Sequence, residues 1–124
     1  MAFEEFKPTV GRFTPTISIG RSGFGFSSGF AKKYGSLIEK KDGMSGIKLY
    51  FDRDRLAVGF KIVSTQEDGV IKLKSIPNGG YFLGARSFLV KYDIVRTQFE
   101  LRYQPKVEQS SDGQLFVIEL KRKV

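Results

Sequence analysis

Asp52 and Asp54, in the stretch DRDR at residues 52–55, come nearest to a reactive constellation in this chain. Two carboxylates so close could share a Mg²⁺ ion for phosphodiester hydrolysis, but such sites draw further acidic ligands from elsewhere. A short charged run between two apolar alternations reads as a hairpin turn. The chain has no histidine and no cysteine. That removes the usual general base, the commonest metal ligand and all thiolate chemistry. No catalytic residue, cofactor or metal site is expected.

The stretch SGFGFSSGFAKKYG, residues 22–35, raises a second possibility, a phosphate cradle. A dinucleotide loop needs G-x-G-x-x-G between a strand and a helix, so that free backbone N–H groups converge on an anion. Gly23 and Gly25 begin that pattern, but the next glycine, Gly29, comes one residue late, and no G-x-x-x-x-G-K-[ST] occurs. The glycines are therefore expected to serve the backbone at a strand-to-helix junction. Phe24, Phe26, Phe30 and Tyr34 are expected to pack a core.

Charge is the remaining functional signal. The formal net charge is +8, spread over both halves as +5 for residues 1–64 and +3 for residues 65–124. A distributed positive excess suggests contact with a polyanion. Arg21, Lys32, Lys33, Lys40 and Lys41 cluster around the first junction, and Arg86, Lys91 and Arg96 around a second. The tail Lys121-Arg122-Lys123 is expected to fray in solvent. No apolar run approaches 18 residues, and MAFEEFKPTV is acidic where a secretory signal would be basic, so a soluble, cytoplasmic protein with no membrane contact is expected.

These side chains need elements to hold them. Residues 1–15, with Pro8, Gly11 and Pro15, read as an extended arm whose Phe3, Phe6 and Phe13 dock on the body. Thr16-Ile17-Ser18-Ile19 alternates as a strand, and Arg21-Ser22-Gly23 turns it into Phe24-Gly25-Phe26. Ser27 or Ser28 caps a short helix with Phe30, Ala31, Tyr34 and Leu37 on one face, ended by Gly35 or by Asp42-Gly43. Residues 47–51 and 56–62 then form a second hairpin around the charged turn. After a polar linker at residues 64–69 the order begins again. Ile71 and Leu73 alternate with lysines, Pro77-Asn78-Gly79-Gly80 turns the chain, and Phe88, Leu89, Tyr92 and Val95 share a helical face. Residues 99–103 and 115–120 are strands joined by a turn at 105–113.

A shift of 58 residues superposes Phe24 on Phe82, Phe30 on Phe88, Lys33 on Lys91 and Tyr34 on Tyr92. With the repeated order of elements, this predicts an internal duplication. The fold expected is mainly β with two short helices, arranged as tandem ββαββ repeats at residues 16–63 and 70–124.

A glycine turn at Gly23, a short helix ending Lys33-Tyr34-Gly35, the Lys41-Asp42-Gly43 loop and a second hairpin resemble the AbrB/MazE-type swapped-hairpin family. The resemblance implies an interlocked double-split β-barrel, here with both copies fused into a pseudo-dimer that is monomeric or pairs again as a homodimer. It also implies a non-enzymatic DNA-binding protein of transcriptional-regulator or accessory type, contacting duplex phosphates through basic residues of both repeats. Members place an arginine after the turn glycine and a proline before the helix, where this chain has Phe24 and Ser27. Phosphate contact therefore carries over rather than base readout. Two alternatives stand beside it: a protein-interaction module, antitoxin-like or a phage-encoded adaptor, that captures a partner with residues 1–15, and a single-stranded nucleic acid binder.

Overall fold

Ile17 and Ile19 point inward from strand β1 (Ile17–Ile19), and the Gly20 N–H donates to the Gly23 carbonyl at 2.7 Å to start β2 (Gly23–Phe26). The computed structural model describes residues 3, 14–40, 43–63, 68–110 and 113–123. Helix α1 (Ser28–Ile38) starts at Ser27, whose Oγ accepts the Phe30 N–H at 3.1 Å as an N-cap does. The same oxygen accepts the Thr16 N–H at 3.0 Å and donates to the Thr14 carbonyl at 3.2 Å, tying the helix start to the approach of β1. Gly35, one of the stops expected for α1, does not end it. The helix continues to Ile38, and the missing side chain instead admits Tyr81, whose hydroxyl would lie 3.3 Å from a β-carbon there.

A small ribbon, β3 (Glu39–Lys40) and β4 (Gly43–Met44), leads into the hairpin β5 (Gly46–Asp52) and β6 (Ala57–Val63). The second half supplies β7 (Ile71–Ser75), β8 (Tyr81–Gly84), α2 (Arg86–Lys91), a 3-10 turn (Arg96–Gln98), β9 (Arg102–Tyr103), β10 (Lys106–Ser110) and β11 (Gly113–Glu119). Gly79, at φ +94°, makes the turn between β7 and β8 in a conformation that other residues rarely adopt.

Several expectations need correction. The expected turn at 105–113 holds strand β10, an edge strand whose KVEQS sequence carries too few apolar residues for a periodic signal. The expected strand 99–103 is reduced to Arg102–Tyr103 and an isolated bridge at Phe99. Helix α2 ends at Lys91, where Asp93 takes φ +54° and the Ile94 N–H returns to the Leu89 carbonyl at 2.9 Å. This left-handed stop turns Ile94 inward and leaves Val95 exposed, so Val95 is not part of the helical face. Phe3 is 91% exposed rather than docked, and Phe6 and Phe13 lie outside the described residues.

The fold is mainly β, and among the described residues nine strands form a sheet curled into a half-barrel. The order β10-β11-β6-β5-β7-β8-β2-β1-β9 interleaves the two parts of the chain, and every pairing is antiparallel. Strands β2 and β8 meet at Phe24↔Leu83, β6 and β11 at Phe60↔Phe116, β5 and β7 at Ile47↔Ile71, and β1 and β9 at Ile17↔Tyr103. Phe24 and Phe82 therefore face opposite sides: Phe24 is fully buried, whereas partly buried Phe82 shares its side with Gly25. The superposition of these two phenylalanines fails, because a 58-residue shift reverses the strand's faces.

The inner side holds one aromatic chain of contacts. Phe24 meets Phe60 edge-on at 4.9 Å, Phe60 meets Phe26 at 5.6 Å, Phe26 meets Phe30 at 5.0 Å, and Phe30 meets Phe116 at 5.3 Å. Rings from β2, β6, α1 and β11 thus pack as the residues of the glycine-rich stretch were expected to. Tyr34 joins them at 4.7 Å from Phe116, and α2 adds Phe88 and Tyr92 against Phe51.

The tail does not fray. Phe99 bridges Arg122, the Glu100 N–H donates to the Lys121 carbonyl at 2.8 Å, and the Lys123 N–H donates to the Gln98 carbonyl at 2.9 Å. The Lys121 N–H also donates to the Tyr103 hydroxyl at 3.0 Å, while the Arg122 guanidinium lies 5.0 Å from the Phe99 ring. Burial of the Tyr103 phenol pushes its pKa up, partly opposed by its hydrogen bond with Lys121.

Candidate nucleic-acid interface

The turn carrying Arg21 is fastened to the start of α2, because the Ala85 N–H donates to the Ser22 carbonyl at 2.8 Å. Arg86 is the first residue of that helix, and the left-handed stop at Asp93 brings the chain back so that the 3-10 turn carrying Arg96 lies alongside. Arg21, Arg86 and Arg96 consequently line one groove of about 530 Å³. Its floor is apolar, from Leu89, Val90, Ile94 and Val95, and among the described residues Asp93 is the one carboxylate in its lining. Three guanidiniums around an apolar floor suit an anion with flat apolar surface beside it, because arginine presents its donors in a planar fork and is weakly hydrated.

A second groove lies beside the start of α1. There the turn between β7 and β8 and the start of α1 enclose a smaller groove of about 240 Å³ lined by Thr16, Ser18, Ser27, Ser28, Asn78 and Arg102. Four hydroxyl side chains stand there beside the single guanidinium of Arg102. The Asn78 Oδ1 accepts the Gly80 N–H at 2.8 Å, so this side chain is engaged in its own turn.

No family model, no curated protein and no solved structure matches this chain.

The other candidate residues lie apart from the arginine groove. Lys32 and Lys33 are exposed on α1, with the Lys33 ammonium 5.4 Å from the Tyr34 ring, and Lys91 is exposed on α2 at 5.4 Å from the Tyr92 ring. Lys40 lies in β3, and Lys41 lies outside the described residues. Asp52 is committed to its turn: its Oδ1 accepts the N–H groups of Asp54 at 3.0 Å and Arg55 at 3.2 Å. Arg55 pairs twice with Glu108, at 2.6 and 3.1 Å. Among the described residues no group of three or more acidic, histidine or cysteine side chains is gathered to hold a metal ion. Among the same residues no helix is long and apolar enough to cross a membrane.

A further set of cations appears only in the folded chain. Lys48 on β5 is paired directly with Lys61 on β6, and Lys72 on β7 is paired with Gly46, two residues before Lys48 on the same side. Lys74 follows two residues after Lys72 and is paired with Phe82. The alternation of Lys72 and Lys74 with Ile71 and Leu73 is visible in the sequence, but the cross-strand register that joins the four lysines is not.

Proposed function

We propose that this chain is a non-enzymatic DNA-binding protein that holds duplex phosphates in the groove of Arg21, Arg86 and Arg96. The observation carrying this reading is that the three arginines come from both parts of the chain, yet share one groove whose lining, among the described residues, holds a single carboxylate. Arginine pairs with phosphate through two parallel N–H donors, and each neutralised phosphate releases counterions, which gives affinity without sequence information. Lys32, Lys33 and Lys91 are peripheral phosphate contacts in this reading.

The architecture we infer is the fused pair of swapped-hairpin units, an AbrB/MazE-like double-split barrel. Reciprocal pairing supports it. The second strands of the two units pair with each other (β2 with β8), as do the last strands (β6 with β11), and the first strand of each meets the third of the other (β1 with β9, β7 with β5). Gly23 and Gly80 support it too, since each lies where a β-carbon would overlap a carbonyl oxygen of the opposite unit, Leu83 and Phe26 respectively.

Fluorescence anisotropy with a mixed-sequence 25-base-pair duplex tests the function. Binding is expected at 50 mM salt, with a log–log salt slope that falls by about two units when Arg86→Gln and Arg96→Gln are combined. No binding at 50 mM salt, or an unchanged slope in the double variant, rejects the proposal.

A further inference from the structure

The outer side of the half-barrel carries a second surface built from different residues. Inner positions on β5, β6, β7 and β8 hold Ile47, Phe60, Leu73, Tyr81 and Leu83 in the core. The intervening positions therefore face away from it. Those positions hold Lys48, Lys61, Lys72 and Lys74, with Tyr50 two residues beyond Lys48 and Phe82 opposite Lys74. Tyr50 is 45% exposed, and Phe82 is partly buried. Tyr50 stands opposite Gly59 and Phe82 opposite Gly25, with the Leu115 side chain over Gly59 and the Ser18 hydroxyl over Gly25. Lys48, Lys72 and Lys74 thus lie between two aromatic rings, with Lys61 beside Lys48 on the next strand.

The Lys48–Lys61 register sets two cationic side chains next to each other across paired strands. A duplex hides its bases and offers phosphates alone, whereas an unpaired strand offers phosphates for lysines and base faces for aromatic rings. The arrangement of cations between rings matches the second.

We propose that this outer face binds an unpaired polynucleotide strand, with Lys48, Lys61, Lys72 and Lys74 on the phosphates and Tyr50 and Phe82 as stacking platforms. It shares no residue with the arginine groove and stands or falls independently of it.

The test is fluorescence anisotropy with labelled dT20 and with an abasic 20-mer of the same charge, at 50 mM salt. The dT20 strand is expected to bind about tenfold tighter than the abasic strand, and Phe82→Ala or Phe82→Leu to remove that margin. The leucine variant keeps an apolar side chain at position 82, so loss of binding there reports the ring and not the fold. Combining Lys72→Gln with Lys74→Gln should lower the dT20 salt slope by about 1.4 units, while Arg86→Gln with Arg96→Gln leaves it unchanged. Equal affinity for dT20 and the abasic strand overturns the proposal. So does dT20 binding that follows the arginines rather than the lysines and Phe82, or a duplex that displaces dT20 at equal concentration.

Discussion

Gly23 lies so close to the Leu83 carbonyl that a β-carbon on it would overlap the oxygen. The clash is with backbone on the neighbouring strand, so no side-chain rotation can relieve it. Gly23→Ala should therefore destabilise the protein by about 2–3 kcal/mol in urea unfolding, as forced overpacking does. Gly84→Ala is the control, since its nearest neighbour is the Phe82 ring edge at 3.9 Å, and it should stay within about 0.5 kcal/mol.

Ser27 makes three hydrogen bonds with one hydroxyl, to Phe30, Thr16 and Thr14. Replacing it by alanine removes the helix cap and also releases the segment leading into β1. A loss of about 1–2 kcal/mol is expected from Ser27→Ala, measured by the same unfolding curves. A loss near zero would show that water replaces the cap without penalty.

Among the described residues, two other than glycine adopt positive φ, Asp93 at 54° and Leu56 at 53°. Asp93 is exposed, so Asp93→Gly should relieve backbone strain and stabilise by about 0.5–1 kcal/mol. Leu56 packs against the core, and Leu56→Gly loses that burial, so its effect should have the opposite sign at about 1–2 kcal/mol. Opposite signs for two residues of the same φ would separate conformational strain from packing.

The Arg55–Glu108 pair ties the β5–β6 turn to the edge strand β10. The hydrogen bond from Arg55, aided by its charge and that of Lys106, holds the Glu108 carboxyl below its ordinary value of 4.5. A carboxyl lowered in the fold stabilises above its unfolded pKa, and that contribution is lost as the pH falls through the folded value. The melting temperature of the native chain should exceed that of Glu108→Gln at pH 7, and the gap should close on acidification below pH 4.5. Because both partners are exposed, 1 M salt should shrink the gap at pH 7.

Much of the first half was legible because its signals are local. The alternation at residues 17–19 and 47–51 and the Ser27 cap each act within a few residues, and the strands and helix formed there. The edge strand β10 was not legible, since its Val107 is 42% exposed and KVEQS presents no buried side to pattern. The end of α2 was hidden for another reason: Asp93 stops the helix by a backbone conformation, and Ile94 and Val95 are equally apolar in sequence. Of the candidate cations, the sequence identified Arg21, Arg86 and Arg96 as charges, but not as neighbours. What joins them is the Ser22–Ala85 hydrogen bond and the reversal at Asp93, both products of tertiary structure. The outer lysines were missed as a set because register between β5, β6 and β7 has no signature within any one strand.

The interleaved strand order dictates how the chain must be made. On the ribosome, β2 emerges long before its partner β8, β6 waits for β11, and β1 waits for β9. Early segments are left with open edges until residues near 120 have been synthesised, a high-contact-order route that folds slowly and exposes nascent chains to mispairing. The same dependence makes the protein a natural candidate for splitting within residues 64–69, with two separately expressed fragments recovering one fold only when they meet.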